Sequence, residues 1–177
     1  MKIDLVKNID SVSAYVVDYF EEPYVVFSYF SLREVPGVFF HELMHLMDDR
    51  LTYYYQEHYG HDFYDEWCAL NPEEFEYMAE KDRDPSFEHD TNYFISSYAT
   101  SDMVEDTADT MRYLCEKVDS EVVYAEGYGE DDVEEEKYGE NVNKKIELLC
   151  KAIREAFPSV ANEKELYWEK ALDKLNK

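Results

Sequence analysis

Val38-Phe39-Phe40-His41-Glu42-Leu43-Met44-His45-Leu46-Met47 sets a His-Glu-x-x-His pattern inside an apolar run. The apolar spacing predicts a buried helix, started by Pro36, which a first helical turn tolerates. On a helix, residues four apart lie one turn above each other on the same face. His41 and His45 can then reach a single metal ion. Glu42 projects beside them, within reach of a water on that ion.

A catalytic zinc site keeps three protein ligands and one open position. A third histidine of the metzincin kind needs Gly at position 48 and His at position 51, which hold Asp48 and Leu51. Glu57 and Glu66 lie near the motif, but neither falls in a convincing helical frame. A better third ligand lies in Ser101-Asp102-Met103-Val104-Glu105-Asp106-Thr107-Ala108-Asp109. Ser101 is read as the N-cap, and Asp102 suits the positive end of a helix dipole. Val104, Ala108, Met111, Cys115 and Val118 then recur at helical spacing. Glu105 and Asp109 share a face, so Glu105 can ligate while Asp109 supports a ligand from behind. His89 is the reserve ligand. His58 and His61 read as surface or structural residues.

The two motifs together resemble the gluzincin-type metallopeptidases, in particular the catalytic domain of anthrax lethal factor and its bacterial relatives. The resemblance covers roughly residues 35 to 118. It implies a zincin-like α+β fold, mainly helical, with a small sheet beside the His-Glu-x-x-His helix. It implies one Zn2+ ion held by His41, His45 and Glu105, with Glu42 as general base. Tyr98 stands seven residues before Glu105, where the family has a tyrosine that stabilises the oxyanion. Asp48 matches the family's acidic residue three past the second histidine, and Asp109 matches its acidic residue four past the third ligand. Met44 departs from the pattern, since many members have Gly there. The implied activity is hydrolysis of peptide bonds in a peptide or protein substrate.

Composition bounds these expectations. A chain of 177 residues suits one sizeable core and is short for two. The domain is read as 1–177, with the motif region at 24–118 and C-terminal helices at 140–176. The formal net charge of −25 argues against nucleic acid as a direct ligand and favours cationic peptides near the cleft. No apolar run is long enough to span a membrane. Met1-Lys2-Ile3-Asp4-Leu5 lacks the apolar core of a secretory leader, which reads as cytoplasmic if Met1 is the true start. The family resemblance implies a secreted or cell-surface protein instead. Cys68, Cys115 and Cys150 form no metal-binding spacing, so buried reduced thiols are expected for the last two.

Two rival functions stay open at this level. One is a silent relative that keeps the metal for structure or binds a partner through the cleft. The other is an acidic mimic of DNA that titrates a nucleic-acid-binding protein.

Along the chain, Val12 to Phe20 reads as helix or strand, and Tyr24 to Leu32 as a strand; the resemblance to zincin-like folds implies that this strand forms the edge of the cleft. Such an edge could pair with a peptide backbone. Residues 34–57 form the motif helix. Residues 58–97 read as irregular, with Asn71-Pro72-Glu73-Glu74 starting a short helix. The acidic, Gly-punctuated stretch Gly127 to Glu136 reads as a solvated loop without the EF-hand calcium pattern. A helix follows over 141–157, ended by Pro158, and a last one near Glu163 to Leu175.

Overall fold

The computed structural model describes residues 2–6, 14–17, 24–28, 35–82, 84, 87–124 and 138–171. The described chain is mainly helical. Three short strands come first: β1 (Lys2–Val6), β2 (Ala14–Val17) and β3 (Tyr24–Ser28). Their order is β1-β3-β2, with β1 parallel to β3 from Lys2↔Tyr24 and β2 antiparallel to it from Ala14↔Phe27. β3 therefore has a partner on each side and is not the free edge that the sequence reading assigns it.

Helix α1 runs Val35–Tyr59, two residues past the expected end. It stops at Gly60, whose φ of 78° lies in the left-handed region that glycine adopts without a Cβ clash. The Gly60 N–H closes the helix by donating to Tyr55 O and Gln56 O, both at 3.2 Å. Helix α2 (Phe63–Cys68) falls in a stretch read as irregular. Asp62 caps it: its side chain accepts from Tyr64 N, and Asp65 accepts in return from Asp62 N, each at 3.0 Å. The helix expected from Asn71 does not form. That stretch is a turn closed by Phe75 N donating to Pro72 O, and Glu74 at φ 65° cannot continue a right-handed helix.

Helix α3 spans Met103–Tyr124. Its cap is Asp102, which accepts from Val104 N at 3.0 Å; Ser101 instead donates back to Tyr98 O at 2.6 Å. Helix α4 spans Glu140–Ala156. Phe157 leaves the helical region there, and Pro158 opens a short helix α5 (Pro158–Ala161) rather than only ending α4. The expected last helix is a 3₁₀ turn over Trp168–Ala171. The remainder of that stretch past 171, and the acidic stretch Gly127 to Glu136, lie outside the described residues.

Packing follows from two neighbouring stripes. On α1, Met44, Met47, Leu51 and Tyr55 recur every three or four residues and are buried. On α3, Ala108, Met111 and Cys115 do the same. These stripes meet α2 through Phe63 and Trp67 and α4 through Leu149, Ala152 and Ile153 in one core. Full burial of each large side chain contributes ~1.5–3 kcal/mol. Ala108 leaves room for α3 to approach α1. A second cluster joins Tyr113 and Leu114 to Ile95, Val142, Ile146 and Cys150. Cys115 and Cys150 are buried, and Cys68 is half-buried.

A buried ion pair ties this core together. Asp106 Oδ2 accepts from Lys145 Nζ at 2.6 Å, Trp67 Nε1 at 2.9 Å and Tyr77 Oη at 2.8 Å. Lys145 also donates to Tyr93 O at 2.8 Å, and its ammonium lies 4.2 Å from the Phe94 ring centroid. Burial pushes the Lys145 ammonium down and the Asp106 carboxyl up, and their mutual attraction opposes both shifts. Removing one partner strands the other charge in a dry core, which costs about 3–5 kcal/mol. Lys145→Ala should therefore unfold at clearly lower urea concentration than Asp106→Asn combined with Lys145→Met, measured by circular dichroism. Equal midpoints for the two would show that the stranded charge carries no cost.

Candidate metal centre

His41 and His45 lie on the α1 stripe beside the core stripe, so they face outward at the margin of the α1–α3 contact. Glu105 and Asp109 hold the matching place on α3. The helices run antiparallel, which sets His45 against Glu105 and His41 against both Glu105 and Asp109. His41 Nε2 lies 3.1 Å from Glu105 Oε2, His45 Nε2 lies 3.4 Å from the same oxygen, and the two Nε2 atoms are 3.3 Å apart. The three residues form a group that could hold a metal ion.

Three electron-rich atoms in mutual contact call for positive charge. A proton satisfies one such contact at a time, whereas a cation at the centre satisfies all three. The size also fits. A tetrahedral ion with bonds of about 2.0–2.1 Å separates its ligand atoms by about 3.3 Å, the edge found here. His41 Nδ1 is buried without a hydrogen-bond partner and sits 3.9 Å from Asp109 Oδ1. With Nε2 on a metal, Nδ1 would carry the ring hydrogen and turn it toward the Asp109 side of the ring.

The surroundings hold Asp109 and Tyr98 in place. Asp109 Oδ2 accepts from the Ser96 hydroxyl, and Ser96 Oγ in turn accepts from Ala99 N at 3.1 Å. One hydroxyl thereby joins α3 to the 3₁₀ turn Tyr98–Thr100. The Tyr98 ring centroid is 6.0 Å from that of His41, and the residue is 41% exposed. Ser96 escaped the sequence reading, because a lone serine thirteen residues from its partner carries no periodic signal.

Glu42 is buried beside the histidines. Burial raises its carboxyl, the two imidazoles pull it down, and Glu105 pushes it up, leaving it above the ordinary glutamate value. Burial also opposes charge on Glu105, but hydrogen bonds and attraction from His41 and His45 outweigh it and hold that carboxyl far below the usual range. His45 is raised despite burial, chiefly by its contact with Glu105.

Asp48 accepts a short hydrogen bond from the Tyr64 hydroxyl and acts on His45 only through space. Tyr64 also meets Thr107 Oγ1 at 3.2 Å, so it bridges α1, α2 and α3. Met44 is fully buried in the core, away from the metal-holding face, so its bulk fills the interior and does not narrow the site. Glu66 is engaged with His61 at 2.8 Å, Glu57 is exposed, and His89 meets Ser97 Oγ at 3.2 Å. None of them joins the triangle. Among the described residues, no helix is long and apolar enough to cross a membrane.

No protein-family model, curated protein or solved structure matches the chain.

Two outcomes follow. Glu105→Ala or His45→Ala should weaken binding of a zinc probe by more than about 100-fold, and Asp109→Asn by about tenfold, read by titration against a competing chelator. Desolvation raises the Asp48 carboxyl to about 6 from 3.8. A carboxyl raised on folding supports the fold below its unfolded value and opposes it as pH climbs through its folded value. Asp48→Asn should therefore stabilise the metal-free protein by about 1–2 kcal/mol at pH 7 and leave it unchanged at pH 3.5, by urea unfolding.

Proposed function

We propose that the protein is a zinc-dependent metallopeptidase of zincin-like fold, with the strands lying beside α1 as part of the cleft. The observation that carries this reading is the convergence of two imidazoles and one carboxylate from α1 and α3 at tetrahedral spacing, with a buried glutamate next to them. The resemblance of the two motifs to gluzincin-type enzymes supports it. Two imidazoles and one carboxylate are also the donor set of hydrolytic zinc sites.

Zinc held by His41, His45 and Glu105 supplies Lewis acidity, lowering the pKa of a water toward ~7 and polarising the scissile carbonyl. Glu42 is the proton carrier. It is buried beside both histidines, within reach of a water on the ion, which suits a base that must later act as an acid. It takes one proton from the attacking water as the new C–O bond forms, then gives that proton to the amine nitrogen as the C–N bond breaks. Tyr98, exposed beside His41, donates its hydroxyl hydrogen to the developing oxyanion. Asp109, held by Ser96, orients His41 through Nδ1. The substrate is a peptide or protein, and the strongly negative chain favours a cationic one.

Glu42→Gln should retain zinc and lose ~10²–10⁴ in turnover on a mixed peptide library. Tyr98→Phe should lose ~10²-fold or more in kcat with zinc content unchanged. Mass spectrometry of library digests, with zinc quantified in each variant, checks both. Hydrolysis by Glu42→Gln at the parent rate excludes the base role, and a wild-type protein that holds zinc but cleaves no peptide excludes the enzyme.

A further inference from the structure

Ser96 stands just before the 3₁₀ turn Tyr98–Thr100, and two buried residues share its hydroxyl. A carboxylate only accepts, so Ser96 gives its single hydroxyl hydrogen to Asp109 Oδ2. A lone pair on Oγ then remains for the Ala99 N–H, which donates to it at 3.1 Å. Ala99 and Asp109 are both buried, so losing this hydroxyl leaves a donor and an acceptor short of a partner. The donors run one way, from the Ala99 amide through the Ser96 hydroxyl to Asp109, and each bond polarises the next.

Each end of this chain meets a group of the proposed reaction. At one end, the second Asp109 oxygen, Oδ1, lies 3.9 Å from the buried His41 Nδ1. The grip of Ser96 on Oδ2 limits rotation of the carboxylate and keeps Oδ1 on the His41 side. At the other end, the Ala99 N–H belongs to the rigid peptide plane that joins Tyr98 to Ala99. The carbonyl of that plane accepts from Ser101 N at 2.9 Å and from Ser101 Oγ at 2.6 Å. The plane is therefore pinned at both edges, which sets ψ of Tyr98 and the direction in which its side chain leaves the turn.

We propose that Ser96 is a positioning residue that makes the metal centre and the Tyr98 turn one unit, so that a change at either is felt at the other. This rests on the peptidase reading, with His41 as a metal ligand and Tyr98 as the donor to the oxyanion. Thr100 supplies the contrast, since its hydroxyl donates to Ser97 O at 2.8 Å inside the same turn.

Metal binding and amide exchange test the link without turnover. Ser96→Ala should weaken zinc binding about fivefold against a competing chelator, and Asp109→Ala about tenfold. The double variant should lose about tenfold, where independent sites would lose about fiftyfold. Thr100→Ala, which alters the same turn and keeps the Ser96–Asp109 bond, should change zinc affinity by less than about twofold. In metal-free protein, Asp109→Ala should speed exchange of the Ala99 amide about threefold by NMR, and Glu105→Ala should not. This comparison keeps Ser96 and stands even where Ser96→Ala does not fold. In the active protein, Ser96→Ala should lower kcat about tenfold with KM little changed, and add less than about twofold in a Tyr98→Phe background. Additive zinc losses, an equal loss from Thr100→Ala, an Ala99 amide indifferent to Asp109→Ala, or the full kcat loss without the Tyr98 hydroxyl overturns the link. Non-additive zinc losses in a protein whose parent form cleaves nothing sink the peptidase reading and leave the link standing.

Discussion

Asp106 sits with no exposure between three helices and collects the Lys145 ammonium, the Trp67 indole and the Tyr77 hydroxyl on one oxygen. Such a group tolerates little rotation, because each donor that slips away leaves a buried charge short of a partner. Asp106 follows Glu105 directly, and successive helical residues point about 100° apart. Locking Asp106 toward α2 and α4 therefore points Glu105 toward α1. The candidate centre depends on a salt bridge that it never touches. An apolar pair could fill the same volume with comparable stability, but it would fix the rotation of α3 less sharply.

How much of this was legible in the sequence follows the range of each interaction. The His-Glu-x-x-His helix and the helix of Glu105 could be read because their signals are periodic and local. The same holds for the shared faces of His41 with His45 and of Glu105 with Asp109. Helix α2 was missed, although Asp62 and Asp65 spell a capping box; the weak apolar pattern of six residues hid it. The cap of α3 was placed one residue early, since serine and aspartate both suit that position and only the chain path chooses between them. Asp106 with Lys145, Asp48 with Tyr64 and Asp109 with Ser96 could not be paired. Their partners lie thirteen to thirty-nine residues apart. No spacing rule connects residues across different elements, and an acidic chain offers many carboxylates to each cation.

Met44 shows the same division from the other side. Its place between the two histidines suggests a role in the site, yet helical geometry turns it by about 60° from His41 and about 100° from His45, on the side of the core stripe. It points into the core beside Leu51 and Trp67. A residue inside a motif need not belong to the motif's chemistry. Sequence proximity to His45 sets only the angle at which Met44 leaves the helix, and that angle leads inward.

Protons and a metal compete for one hole in the electrostatic field. The contact between Glu105 and His45 favours the charged form of each, so the His45 imidazole rises, while both histidines together hold Glu105 down. Both shifts express a single demand, that positive charge lie between these atoms. A divalent ion meets that demand with two charges where a proton brings one, and it brings all three donors into contact at once. The overall charge of −25 adds a diffuse attraction that ions in solution screen, whereas the triangle acts at about 3 Å and is screened far less. Short-range geometry therefore decides which cation stays, and the long-range field only raises how often one arrives.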